Sequence, residues 1–151
     1  MKQSTKIDYE HYDSLQDLPA QDYALVQAAR AAAESAHAPY SHFKVGAAAR
    51  LHSGEIISAA NCESEVFPSG MCAERSLIYF HASNYADDAI DALSIVSSDS
   101  ERECYPCGAC RQALFDAEQR QNTPIRILMA SSNTATVVES AQELLPFTFK
   151  L

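Results

Sequence analysis

The sequence is short of basic residues, glycine and long apolar runs, and each shortage excludes a class of protein. Its 151 residues include 11 lysines and arginines against 20 acidic residues, for a net charge of −9. Affinity for nucleic acid comes largely from basic side chains that neutralise phosphates, so no nucleic acid partner is expected. No stretch reaches the roughly 18 consecutive apolar residues of a membrane helix, so no membrane partner is expected either. The four glycines form no phosphate-cradling loop, which disfavours a nucleotide ligand.

Cysteine usage favours metal chemistry over disulfides. Residues 1–14 lack the apolar core of a secretory signal, so a cytoplasmic location is expected. The five cysteines are an odd number, and three of them are crowded at positions 104, 107 and 110. In a reducing compartment such a cluster indicates metal binding. The length and the 47% hydrophobic content suit one domain spanning residues 1–151.

Hydrophobic periodicity predicts alternating helices and strands after a polar amino-terminal extension, residues 1–16. Weak alternation over Thr5–Tyr12 predicts an edge strand within that extension. Helices are predicted at Gln21–His37, Met71–Asn84, Gly108–Arg120 and, in a short form, Ser140–Leu145; strands are predicted at His42–Leu51, Ile56–Ala60, Ala92–Val96, Ile125–Ala130 and Thr136–Val138. Strands separated by helices predict an α/β fold, a three-layer α/β/α sandwich with a mixed sheet of about five strands.

Two short segments carry residues suited to metal chemistry: Met71–Arg75 reads MCAER and Pro106–Arg111 reads PCGACR. A catalytic zinc ion keeps three protein ligands and one open position, and thiolates are among its preferred ligands. Cys72, Cys107 and Cys110 would supply those three ligands. Positions three apart lie on one face of a helix, so Cys107 and Cys110 can bind one ion together. The positive end of a helix favours the thiolate form of a cysteine there.

Charged residues near Cys72 complete the predicted site. Glu74 lies two residues after Cys72, where it would act as a base for zinc-activated water instead of as a ligand. Three thiolates and Zn²⁺ sum to one negative charge, which Arg75 or Arg111 would help to offset. The predicted cofactor is one zinc ion per subunit.

The residues alone leave other interpretations open. A Cys-x-x-Cys pair is most often a structural zinc or redox site, and a closed four-ligand site would use Cys104. Cys104, Cys107 and Cys110 also resemble part of an iron–sulfur run, but that run needs a further cysteine, and position 114 is leucine. The combination of Cys-Ala-Glu with a later Pro-Cys-x-x-Cys is more specific than either half.

The combined motif resembles the zinc deaminase signature H-x-E…P-C-x-x-C, in which histidine or cysteine is the first ligand. The likeness extends to four further segments: Ala38–Ala47 (APYSHFKVGA), Asn61–Glu63 (NCE), Phe67–Gly70 (FPSG) and Leu144–Pro146 (LLP). Over most of its length the sequence is similar to the small homotetrameric zinc-dependent cytidine deaminases. The resemblance implies hydrolytic deamination of cytidine and deoxycytidine to uridine and deoxyuridine with release of ammonia, a step of pyrimidine salvage. The partners it implies are a small nucleoside substrate and three further copies of the chain.

The resemblance also implies a role for each matching residue. The zinc ligands would be Cys72, Cys107 and Cys110, with Glu74 as proton shuttle and Arg75 as hydrogen-bond partner of the thiolates. The substrate-binding residues would be Phe43 against the pyrimidine ring, Asn61 and Glu63 at the ribose 3′-hydroxyl, the Ala73 backbone at the base edge, and Phe149 reaching from a neighbouring subunit. Phe147 is an equally placed candidate for that last role.

Some of these residues also have a purely structural interpretation. Periodicity accommodates Phe43 as a core residue on the inner face of its strand, and Asn61 as a turn residue that ends a strand. Cys62 and Cys104 lie outside the ligand pattern and are expected to be spare, buried thiols. A related deaminase acting on blasticidin S would share the zinc site, whereas a polynucleotide-editing deaminase is disfavoured by the net charge of −9.

Overall fold

A computed structural model describes residues 1–98 and 100–151 of the chain. Within these residues it contains six strands and three α-helices. The strands are β1 (Glu10–Tyr12), β2 (Val45–Leu51), β3 (Ile56–Ala60), β4 (Ile90–Ser97), β5 (Arg126–Ala130) and β6 (Ala135–Val138); the α-helices are α1 (Ala20–Ala33), α2 (Ala73–Asn84) and α3 (Gly108–Gln121). Single 3₁₀ turns lie at Leu15–Asp17, Phe67–Ser69 and Ala141–Leu144. Among the described residues, no helix is both long enough and apolar enough to cross a membrane.

The strands form one sheet in the order β1-β6-β5-β4-β2-β3. Strands β4 and β5 are parallel, and every other neighbouring pair is antiparallel. Helix α1 packs on one face of the sheet, and helices α2 and α3 pack on the other. The predicted three-layer α/β/α fold with a mixed sheet is therefore confirmed. The sixth strand is β1, which adds to the edge of the sheet beside β6.

Alternation along β2 explains how one strand serves both hydrophobic cores. Ala47 and Ala49 face the core under α2 and α3, while Ala48 faces the core under α1. Gly46 lies so close to α1 that a Cβ atom there would be 1.9 Å from the backbone oxygen of Ala29. The absence of a side chain at Gly46 therefore sets how closely α1 approaches the sheet.

Two predicted helix boundaries near the site are wrong, and backbone pairing explains both differences. Helix α1 ends at Ala33 instead of His37, because His37 forms a bridge with Cys62. Helix α2 begins at Ala73 instead of Met71, because Met71 pairs with the other side of Cys62. The short extended segment around Cys62 thus pairs with the residues that follow α1 and with those that precede α2, and it limits the length of both helices.

The strand predicted from His42 begins only at Val45. His42 has a left-handed backbone conformation with φ of 57°, which does not continue a strand. The predicted edge strand over Thr5–Tyr12 is present but shorter, since only Glu10–Tyr12 pairs with β6. Other boundaries differ from prediction by no more than two residues, and the predicted last helix is a 3₁₀ turn at Ala141–Leu144.

Replacing Gly46 with alanine is expected to lower the free energy of unfolding by about 3 kcal/mol, the upper end of the usual cost of overpacking a core. The physical reason is that the Ala29 carbonyl belongs to a helix backbone and cannot rotate away as a side chain could. Urea denaturation measures the change. Gly108→Ala is the matched control, because a Cβ there has nothing within 4 Å. Equal losses in the two variants would contradict the close-packing explanation.

Candidate active site

The three predicted cysteine ligands lie together where two helices begin. Cys72 caps the amino terminus of α2, Cys107 caps that of α3, and Cys110 lies in the first turn of α3. Their Sγ atoms are all within 4.8 Å of one another. Zn–S bonds of about 2.3 Å in a tetrahedral arrangement place sulfur atoms about 3.8 Å apart, so a small adjustment would allow all three to bind one ion. The free N–H groups of both helix ends lie close to this cluster of negative ligands.

Arg75 is the cation that accompanies the cysteine cluster. Its Nη2 donates to Cys72 Sγ at 3.5 Å, and its Nε is buried without a hydrogen-bond partner among the described residues. A hydrogen bond from the Cys110 thiol lowers the pKa of Cys72, and Arg75 lowers it further. That shared proton, together with burial, raises the pKa of Cys110. Thiolate formation and a partly buried guanidinium are both suited to a zinc site made of three cysteines.

Glu74 lies in the first turn of α2 and is only 4% exposed. Burial raises its pKa, and the negative charge of Cys72 acts in the same direction. A carboxyl group beside the cysteine cluster but outside the ligand set has the position expected of a proton carrier. Ala73, the first residue of α2, has a backbone N–H with no acceptor inside its own helix, which leaves it free for a ligand.

The predicted charge partner Arg111 has a different role from Arg75. Its Nε donates to the backbone oxygen of Pro106 at 2.8 Å, and its Nη1 donates to that of Leu144 at 3.0 Å. Arg111 therefore fixes the residue that precedes Cys107 to the 3₁₀ turn near the carboxyl terminus.

Asn61 and Glu63 hold the chain that leads into β2. Asn61 directly follows β3, where its Nδ2 donates to the Phe43 oxygen at 2.9 Å and its Oδ1 accepts from Val45 N–H at 2.8 Å. Glu63 Oε1 accepts from the N–H groups of Tyr40 and Ser41, each at 3.1 Å. Hydrogen bonds from Ser41 lower the pKa of Glu63 and keep it ionised. The two side chains thus shape the loop that presents Phe43.

Phe43 is not a core residue, so the structural interpretation of its periodicity is wrong. It precedes β2 and is 49% exposed. Its ring lines a cleft of about 1300 Å³ together with Cys104, Met129 and, from the amino-terminal extension, Ile7 and Tyr9. The three clustered cysteines and Glu74 do not line this cleft, which therefore flanks the cysteine cluster instead of enclosing it.

The carboxyl-terminal aromatic residues are largely exposed. Phe147 is 99% exposed and has a left-handed φ of 57°, and Phe149 is 68% exposed. The Phe149 backbone oxygen lies 3.5 Å from Nε2 of Gln112 in α3. The assignment of either ring to a substrate site stays a prediction.

The two cysteines outside the cluster differ from each other. Cys104 is buried as predicted, and burial raises its pKa to about 12. Cys62 is exposed, so its predicted burial is wrong; it lies in the extended segment that pairs with His37 and Met71. Cys104 also lies outside the group of three cysteines whose Sγ atoms are all within 4.8 Å of one another.

Sequence reasoning missed Glu103, whose side chain is only 7% exposed. Its carboxylate accepts a hydrogen bond from Thr134 Oγ1, 31 positions further along the chain, and lies 3.6 Å from Nδ1 of His11 in β1. No local pattern joins residues so far apart in sequence, so only the fold could reveal this cluster.

Comparison with known proteins decides the family. The family model for the cytidine and deoxycytidylate deaminase zinc-binding region matches residues 19–123. The chain belongs to this deaminase family. It is 38% identical to a cytidine deaminase of Halalkalibacterium halodurans over 93 residues, which are 61% of this chain and 68% of that protein. It is 32% identical to a cytidine deaminase of Mycobacterium tuberculosis over 100 residues, 66% of this chain and 74% of the relative.

A solved structure of the deaminase family agrees with this fold. The crystal structure of cytidine deaminase from Burkholderia pseudomallei superposes with a TM-score of 0.70 at 32% identity, covering 84% of this chain and 98% of that one. Family, fold and cysteine cluster together identify a zinc-dependent deaminase with a site for one zinc ion per subunit.

Zinc content will separate an open three-cysteine site from a closed four-cysteine site. Cys104→Ser is expected to retain zinc, because Cys104 lies outside the cluster. Cys110→Ser is expected to lose most of its zinc, because it removes one of three sulfur ligands. Metal analysis of the purified variants measures both. Loss of zinc from Cys104→Ser would favour the closed structural site.

Proposed function

We propose that this deaminase hydrolyses cytidine and deoxycytidine to uridine and deoxyuridine with release of ammonia. The observation that carries the proposal is the position of Glu74, a carboxyl group buried beside the cluster of three cysteines. The similarity to proteins named as cytidine deaminases supports the choice of cytidine. Deoxycytidine is included because the sequence resembles a family that accepts both nucleosides.

Cys72, Cys107 and Cys110 would hold the zinc ion. When bound, zinc supplies a Lewis acid that makes water more acidic. Glu74 takes a proton from the water that attacks C4 of the cytosine and delivers it to N3. It then takes the proton of the new C4 hydroxyl and delivers it to the departing amino group, so that ammonia leaves as the C4 carbonyl forms. Its burial beside the cluster directs its proton exchange toward substrate and attacking water instead of bulk solvent. Arg75 balances the negative charge of the sulfur ligands through its contact with Cys72.

The substrate would be held by residues around this centre. The exposed ring of Phe43 offers a flat face to the pyrimidine, and such stacking contributes ~1–3 kcal/mol. The free N–H of Ala73 and the Glu74 carboxyl would read the base edge. At the ribose 3′-hydroxyl, Asn61 and Glu63 would act together. Both described hydrogen bonds to Glu63 use Oε1, which leaves Oε2 as an acceptor for a sugar hydroxyl.

We further propose a homotetramer that serves pyrimidine salvage in the cytoplasm. Exposed aromatic side chains support the assembly, because clustered apolar groups on a surface often mark an interface. Tyr40 and Phe67 pack edge to face with ring centroids 5.9 Å apart, and Phe67 is 75% exposed. Such a pair gains most from burial when a second subunit covers it.

Cytidine loss followed by ultraviolet absorbance tests the activity directly. The purified protein should convert cytidine and deoxycytidine, and a chelator that removes zinc should abolish conversion. Blasticidin S, assayed beside them, should react far more slowly. Preferential turnover of blasticidin S would replace the proposed substrate while leaving the deaminase class intact.

Glu74→Gln is expected to lower kcat by about 10³-fold or more, because the amide cannot carry protons and loss of a general acid–base group costs ~10²–10⁴-fold. Its zinc content should match that of the unmodified protein, since Glu74 is not a ligand. The control is Glu34→Gln, which removes an equal charge from an exposed position at the end of α1. Substantial activity in Glu74→Gln would refute the proton-carrying role.

Phe149→Ala is expected to lower kcat/KM about tenfold without releasing zinc, since an aromatic contact with a base is worth ~1–3 kcal/mol. Phe147→Ala is the matched comparison, a similar ring two residues away. Steady-state kinetics and light scattering should be measured on both, so that loss of a substrate contact is distinguished from loss of assembly. A larger effect at Phe147 would transfer the proposed role to that residue.

A further inference from the structure

The connection between β4 and α3 carries a buried carboxylate that the proposed mechanism does not use. Glu103 lies in this connection, four residues before Cys107, and its side chain is only 7% exposed. A carboxylate withdrawn from water is costly unless hydrogen bonds and opposite charge compensate for the lost hydration. The partners of Glu103 therefore indicate what this residue holds in place.

Two hydroxyl groups donate to Glu103. Thr134 Oγ1 donates to Oε1 at 2.8 Å, and the Tyr105 hydroxyl donates to Oε2 at 2.9 Å. Thr134 lies in the turn between β5 and β6, where its Oγ1 is also 3.0 Å from the Ser131 hydroxyl. Glu103 thus ties the connection before α3 to the β5–β6 turn.

The third contact comes from the amino-terminal strand. His11 Nδ1 lies 3.6 Å from Glu103 Oε1 and 3.1 Å from Thr136 Oγ1, its partner in the β1–β6 ladder. His11 lies outside residues 19–123, the part of the chain that matches the deaminase family model. The extension before the family region therefore reaches the connection that leads to two of the zinc cysteines.

Further contacts hold the backbone of this connection. Cys104 N–H donates to the Ala130 oxygen at 3.1 Å, and Arg111 holds the Pro106 oxygen. Glu103 is the acidic side chain that joins this chain segment to both the β5–β6 turn and β1. Cys107 and the first turn of α3 follow four residues later along the chain.

We propose that Glu103 is a positioning residue for the zinc-binding cysteines, and that the amino-terminal strand, acting through His11, fixes Glu103 and so controls how firmly zinc is held. The proposal uses only one part of the proposed function, namely that the cysteine cluster binds zinc. The amino-terminal extension is then a support for the metal site as well as an edge strand of the sheet.

Zinc release into excess chromophoric chelator tests this role. Glu103→Ala should release zinc about tenfold faster, the lower end of the ~10–100-fold effect of groups that orient metal ligands. His11→Ala should change the rate in the same direction by a smaller factor. The double variant should release zinc no faster than Glu103→Ala, because contacts in one network are not additive. The control is His52→Ala, which removes an exposed histidine paired with Asp91 at 3.3 Å, and its release rate should be unchanged.

Thermal unfolding of the same variants separates positioning from general stability. A lowered Tm with an unchanged zinc release rate would overturn the proposal, as would independent, additive effects of His11→Ala and Glu103→Ala. If Glu103→Ala does not fold, Glu103→Gln and Tyr105→Phe test the same contacts with smaller changes. Normal zinc release with intact cytidine turnover would refute this inference alone, whereas altered release without any turnover in the unmodified protein would refute only the proposed function.

Discussion

The crowding of three sulfur ligands into a space less than 5 Å across is the constraint on which the site depends. Three thiolates repel one another, so this arrangement is stable only where positive charge is supplied. The amino termini of α2 and α3 supply partial positive charge, Arg75 supplies a full charge at Cys72, and zinc completes the balance. Both helices must therefore begin at the same point, on the same face of the sheet.

The bounds of α2 and of the loop before β2 follow from a single extended segment. Cys62 pairs with His37 on one side and with Met71 on the other. The first pairing keeps α1 from continuing, and the second delays α2 until Ala73, so that Cys72 becomes its cap. Asn61, next to Cys62, holds the start of β2: its side chain bonds the Phe43 oxygen and the Val45 N–H, and its own N–H donates to the Val45 oxygen. One segment thus sets both the start of α2 at the cysteine cluster and the course of the loop that carries Phe43.

The sequence predicted well what depends on neighbours along the chain. The i, i+3 spacing of Cys107 and Cys110 and the alternation of Val45–Leu51 are local signals, and the structure follows both. The sequence predicted poorly the contacts between residues that are far apart along the chain. Nothing near His37 indicates that its backbone pairs with Cys62, and nothing near Glu103 indicates His11 or Thr134. The exposure of Cys62 was missed for the same reason, because burial is a property of the assembled layers.

Three buried carboxyl groups of this protein differ in their surroundings, and this difference bears on whether each suits a catalytic or a structural role. Glu118 is buried but accepts hydrogen bonds from the N–H groups of Ile125 and Ala141, so its charge is compensated by fixed donors. Glu103 is compensated in the same way by hydroxyl donors. Glu74 is equally buried, yet burial is the main influence on its pKa and raises it. Hydrogen bonds from its own N–H and from Cys110 lower the pKa of Glu74 less than burial raises it, so its protonated form is stabilised. A carboxyl group in that environment suits the proton transfer proposed for Glu74, whereas the donors around Glu103 and Glu118 suit those two residues to hold neighbouring segments together.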